Sequence, residues 1–143
     1  MSRRRIPIGW LGIIGLLYGA SFVLPMYAVD SRYYPPEAWG FRMFAILFSN
    51  LLHGRGHLLS LLWLAHPAMW YGLGLLARQH WGRAALMGLI GSVLSLLLLA
   101  RLIMAEGGHT GRPAVGCWVF LLSHVSLALV GFGKFLGQRV QST

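Results

Sequence analysis

Acidic residues are almost missing from this chain: Asp30, Glu37 and Glu106 are the three in 143 residues. None lies inside a long apolar run, so a buried carboxylate pair for acid–base chemistry and an intramembrane proton relay are both excluded. Cysteine occurs once, at Cys117. An intramolecular disulfide, a CxxC redox centre and a thiolate zinc site are therefore excluded, and redox work would need a bound cofactor. Internal repeats, low-complexity segments and any polar stretch of domain length are also lacking. Activity must then sit within the apolar segments, on the segments joining them, or in a partner.

What is there is apolar. Hydrophobic residues make up 57% of the chain, charged residues 10%, and the mean hydropathy is +0.65. That composition describes a chain living in lipid. The formal charge of +9 invites a nucleic-acid reading, but the basic residues flank apolar runs and do not line one face. They read as topology signals and lipid-headgroup contacts, with no nucleic-acid partner.

A crossing helix needs about 20 apolar residues. Four stretches qualify: residues 6–26, 58–76, 84–104 and 115–132. The first has the basic flank of a signal peptide but no clear small-x-small cleavage site, so it reads as a retained span. A fifth stretch, Met43 to Leu52, is about half the required length. Phe44, Leu47, Phe48 and Leu51 share one face of it, with Arg42, Ser49 and His53 turned away, which suits an interfacial or re-entrant helix. The expected fold is an all-α membrane protein, a single domain over 1–143 with a four-helix bundle and an outer cap made of residues 29–57. Within the cap, "YYPPEAW" reads as a rigid extended piece, because each proline fixes its own φ and disfavours helix in the residue before it. "ARQHWGR" reads as a tight turn between spans two and three. Seven basic residues fall on the side of the termini and five on the other, and the Arg3 to Arg5 cluster flanks the first span. Both termini are expected in the cytoplasm of a bacterium, with the chain in the inner membrane.

Histidines supply the candidate chemistry. His53 and His57 have the i, i+4 spacing of many metal sites, but the "GRG" between them opposes a helix, and no carboxylate or thiolate completes a shell. No metal is expected there. His66 and His124 lie at matching depth in spans two and four, about 12 to 14 Å from the outer ends at 1.5 Å per residue. Ionisable residues so deep mark a partner or cavity. One reading has the two imidazoles ligating a b-type haem or lining a quinone site. The other is structural: His66 helps satisfy backbone freed by Pro67, while His124, Ser123 and Ser126 make interhelical hydrogen bonds.

Small residues form packing surfaces: Gly12, Gly15 and Gly19 in span one, a GxxxG pair with a neighbour, and Gly88 and Gly91 in span three, where Ser92 and Ser95 extend the surface. Gly72, Gly74, Gly131 and Gly133 allow close approach of spans two and four. Arg101 and Glu106 mark the outer interface, by snorkelling or as a salt bridge. Five of the six tryptophans fall near helix ends as interfacial anchors, and Trp70 lies deeper as a core candidate.

The stretches "SFVLPMY", "WLAHPAMWYGLGLL" and "GCWVFLLSH" resemble a broad group of uncharacterised bacterial four-pass membrane proteins. Their pattern has a first helix ending near Leu-Pro, a second opening on a Trp-Leu-Ala-Asn-Pro-like turn, and a fourth with a Trp-x-x-x-Ser stretch. Trp63, Leu64, Ala65 and Pro67 match; His66 stands where the pattern commonly has asparagine. The resemblance implies a polar, helix-breaking role at that position, which histidine keeps or extends to ligation. It implies no activity. The expected function is that of a non-catalytic accessory or assembly subunit of a larger membrane complex, or a homo-oligomer, without cofactor. The alternatives are an electron-transfer protein holding haem b between His66 and His124, and a toxin-immunity or small-molecule-binding membrane protein.

Overall fold

The stretch from Trp81 to Ile103 is rich in leucine and alanine and free of proline, and it forms one uninterrupted helix of 23 residues. In a computed structural model, which describes residues 8–29, 37–54, 62–103 and 111–140, this is α4 of five helices. The others are α1 (Ile8–Val23), α2 (Gly40–Leu52), α3 (Ala65–Ala77) and α5 (Val115–Val140). Three short strands accompany them: β1 (Pro25–Val29), β2 (Glu37–Trp39) and β3 (Gly111–Pro113).

The chain is predominantly α-helical, but two helices among the described residues, not four, are long and apolar enough to cross a membrane. These are Trp81–Arg101 within α4, and α5. α1 has 16 residues and α3 has 13, or about 24 and 20 Å of helix, against a hydrocarbon core of about 30 Å. Each shortfall has a local cause. Pro25 disfavours helix at Leu24 and ends α1. α3 starts at Ala65, after a tighter turn over 62–64, because Pro67 is suited to the first helical turn, where its missing N–H costs no intrahelical bond. α5 errs the other way. It continues past Phe132 to Val140, because Lys134, Leu136, Gln138 and Arg139 are good helix formers even though the apolar run has ended.

α5 is the hub, packing along α4 and antiparallel to α1, while α3 packs on α4. α2 lies across the end of α1. There the Gly40 N–H donates to the Leu24 carbonyl at 3.1 Å, and a Cβ on Gly40 would run into the Ser21 carbonyl. Phe44 of α2 packs on Phe22 with ring centroids 5.6 Å apart and on His66 at 4.8 Å. Arg42, Ser49 and His53 are exposed. The amphipathic division expected for this segment is observed in part: Phe44 and Leu51 are half-buried, Phe48 is exposed while stacking on Phe44, and Leu47 lies outside the described side chains. α2 ends where the glycines require: His53 caps it, its N–H donating to Ser49 O at 3.0 Å, and Gly54 takes φ +61°. His57 and Glu106 lie outside the described residues.

At that same end the strands form an antiparallel sheet in the order β2–β1–β3. Glu37–Trp39 of the proline-rich segment is extended as expected; the pairing itself was not. β1 carries a bulge between Pro25 and Tyr27. The Met26 carbonyl there accepts from the Ala114 N–H at 2.9 Å and from the Cys117 Sγ–H at 2.8 Å.

The opposite end is closed by the α3–α4 turn. The His80 N–H donates to Leu75 O at 2.9 Å and the Gln79 N–H to Leu76 O at 3.0 Å, with Gln79 at φ +62°. This is the Schellman closure, with glutamine in the left-handed position that glycine usually fills. Gln79→Gly is expected to raise stability by up to about 1 kcal/mol, read as a higher midpoint in thermal unfolding in detergent.

Candidate functional site

The two interior histidines do meet in space, around residues that sequence reasoning passed over. Tyr18, from the middle of α1, has its hydroxyl 2.8 Å from His66 Nδ1. Its ring packs edge-on to His66 and His124, at centroid separations of 5.9 and 6.3 Å. Phe120, one turn before His124 on α5, touches both imidazoles, at 5.0 and 4.7 Å. Three helices thus converge on one polar and aromatic cluster. Tyr18 had a legible signal: a tyrosine far from either end of an apolar run sits outside the interfacial belts and needs a partner for its hydroxyl.

Hydrogen bonding fixes much of the chemistry. The Tyr18 hydroxyl donates to His66 Nδ1 when neutral His66 carries its proton on Nε2, and accepts from it in the other tautomer. His124 is fully buried and sits between two backbone carbonyls. Its Nδ1 is 2.9 Å from Phe120 O in its own helix, and its Nε2 is 3.0 Å from Ala65 O in α3. A neutral ring donates to one carbonyl at a time and an imidazolium to both. With its proton on Nε2, or as an imidazolium, His124 bridges α5 to the Ala65 carbonyl in the first turn of α3.

The interhelical bond expected of Ser123 is not made, and Ser92 and Ser95, expected only as packing residues, behave as it does. Ser123 donates to Phe120 O at 2.7 Å, Ser92 to Gly88 O at 2.8 Å and Ser95 to Gly91 O at 2.7 Å, all within their own helices. A short hydroxyl in a helix reaches its own preceding turn more readily than a neighbour. Nor does His66 reach the Trp63 carbonyl that Pro67 leaves without a donor; its hydrogen bond goes to Tyr18.

Of the expected packing glycines, Gly88 and Gly91 lie in the site wall. A Cβ on Gly91 would overlap the His124 ring, and one on Gly88 would meet the backbone of Ala128. Gly131 returns the contact, with Ala85 Cα 2.9 Å from where its Cβ would be, and Gly72 faces Leu127. Gly12, Gly15, Gly19, Gly74 and Gly133 meet nothing within 4 Å. Arg101 is exposed in the last turn of α4. Two tryptophans depart from expectation: Trp70 is 49% exposed, and Trp81 is buried at 8%. Trp81 closes the core beside the α3–α4 turn, and Trp70 packs at the rim against Phe44, Trp63 and His66.

This arrangement does not fit a haem. Both His124 nitrogens face carbonyl oxygens, His66 Nδ1 is held by Tyr18, and aromatic rings fill the surroundings. The cavity that His66 lines with Ser21, Phe22 and Gly40 is about 10 Å³, the space of about one water. No cluster of three or more His, Cys, Asp or Glu suited to a metal occurs among the described residues. The cluster can therefore join helices and hold their register. No protein-family model, curated protein or solved structure matches the chain.

Proposed function

We propose that this chain is a non-catalytic, four-pass protein of the bacterial inner membrane that works by helix association, as an accessory subunit of a larger membrane complex or as a homo-oligomer. The observation that carries this reading is the outward face of α1. At 100° per residue Gly12, Gly15 and Gly19 fall within about 60° of one another, away from buried Ile14, Tyr18 and Ser21, and no atom of the described chain covers them. Glycines at such spacing let another helix's backbone approach closely. The large apolar side chains left exposed, among them Ile13, Leu16, Leu89, Val93, Leu96 and Leu129, suit lipid or partner helices and would be a liability in water.

Four crossings with both termini on the cytoplasmic side accord with the helix directions. The start of α1 lies beside the end of α5, so an even number of passes follows if α1 and α3 cross by tilting neighbours or local thinning of the bilayer.

The test is the double variant Gly15→Leu/Gly19→Leu, purified in mild detergent and sized by light scattering beside the wild type. Wild type is expected as an oligomer or a stoichiometric complex, and the variant as a solitary monomer of unchanged helix content. A wild type that is itself solitary, or a complex indifferent to the two leucines, would overturn the proposal. So would a Soret band in the visible spectrum.

A further inference from the structure

Between α1 and α5, at the end of the molecule that carries the α3–α4 turn, lies a groove of about 430 Å³ lined by Trp10, Leu129, Val130, Gly133 and Lys134. Its two kinds of wall differ. Leu129 and Val130 are apolar, Gly133 meets nothing within 4 Å and leaves the groove open, and Trp10 and Lys134 are both exposed. Lys134 is about 29 Å along α5 from Val115, which is the thickness of a hydrocarbon core. A groove with an apolar floor thus opens at headgroup depth beside an ammonium and an indole.

The charge around it has one sign. Arg78 and Arg83 flank the α3–α4 turn, and α5 adds Arg139, whose guanidinium lies 4.9 Å from the Phe135 ring. Phe135 in turn packs against Gly82 at the start of α4, so these basic residues share the end where Lys134 sits. Neither the turn from Arg78 to Arg83 nor any residue from Val115 onward is acidic. Lys134 has no carboxylate in those segments to pair with.

We propose that this groove binds one anionic phospholipid, an acyl chain lying along Leu129, Val130 and Gly133 and the phosphate against Lys134, with the Trp10 indole at the level of the glycerol esters. The proposal rests on the membrane reading above and adds a defined site to it. Charge complementarity selects the occupant: a basic pocket between helices on the cytoplasmic side favours an acidic headgroup, and an apolar groove ending there favours a chain attached to it.

The experiment is native mass spectrometry of the delipidated full-length protein in detergent, incubated with phosphatidylglycerol or with phosphatidylcholine of the same acyl chains. Phosphatidylglycerol adducts are expected to exceed phosphatidylcholine adducts by about fivefold, the equivalent of one basic contact. Lys134→Gln should remove that preference. Gly133→Leu keeps every charge but fills the groove, and it should abolish adducts of both lipids, while Arg101→Gln at the opposite end should change nothing. Should Gly133→Leu not yield a folded protein, Leu129→Trp obstructs the same groove from an exposed position with the same expectation. Equal retention of both lipids by the wild type, or a preference that survives either groove-filling variant, overturns the site. Alkaline carbonate extraction separates the two levels. A chain released from membranes by carbonate defeats the membrane reading, whereas an integral chain without lipid preference defeats only the site.

Discussion

Gly91→Ala is expected to destabilise the protein by about 1 to 3 kcal/mol, a large effect for one methyl group. Intrinsic helix propensity argues the opposite, since alanine is favoured over glycine in a helix interior by about 1 kcal/mol. Packing decides the sign. The added Cβ would overlap His124 Cδ2 and lie 2.7 Å from Nε2 and 2.9 Å from Cγ. A flexible side chain would swing away, but this ring is fully buried, hydrogen-bonded to a backbone carbonyl and packed against Phe120. The same substitution at Gly12 meets no atom and should be neutral or stabilising for the monomer. The measurement is unfolding by titration of a denaturing detergent into a mild one, with helicity as the signal; equal midpoints for the Gly91 and Gly12 variants would contradict the packing described here.

His124→Ala should cost more, at least about 3 kcal/mol. Truncating a fully buried large side chain typically costs about 2 to 5 kcal/mol, and loss of the bridge to Ala65 O adds about 0.6 to 1.7 kcal/mol. The sharper expectation is coupling. With the ring gone, the alanine at position 91 has room, so Gly91→Ala in the His124→Ala background should cost little. The double variant should then be more stable than the sum of the singles by about 1 to 3 kcal/mol. Strict additivity would show that the ring does not rest on Gly91. His124→Gln, which keeps one donor, should recover part of the loss without affecting any absorbance in the visible, as a structural role requires.

Much of this site was legible before the fold was known. Depth counting along two apolar runs singled out His66 and His124, and both rings do pack on Tyr18 and Phe120, although His66 lies in the first turn of α3 and not eight residues into a helix. The faces of α2 and its stop at Gly54 were equally plain, since amphipathic spacing and an interrupting glycine are local signals. Three things were not. Tyr18 was hidden by its type, as tyrosine is usually counted among interfacial anchors and not as a buried donor. The serines misled because composition shows that a hydroxyl exists without showing that its own helix satisfies it. The late start of α3 was masked by leucines that continue the hydropathy of "HLLSLLWL" upstream of Pro67, although proline in a first turn marks where a helix can begin. The sheet left no trace at all: strands of three to five residues are too short for clear alternation, and the pairing of β1 with β3 joins residues far apart in the chain.

That last feature bears on how the molecule is made. β1 leaves the ribosome directly after α1, but the strand that flanks it on one side, β3, follows more than eighty residues later, and the Met26 carbonyl finds Ala114 and Cys117 later still. During synthesis β1 therefore waits with one open edge while α2, α3 and α4 are made. Only when α5 arrives does the edge close, and the same helix brings His124 to α3. Locking of the bundle is thus a late event, so a truncation before β3 should leave a species that is incomplete and prone to pairing with a second copy of itself.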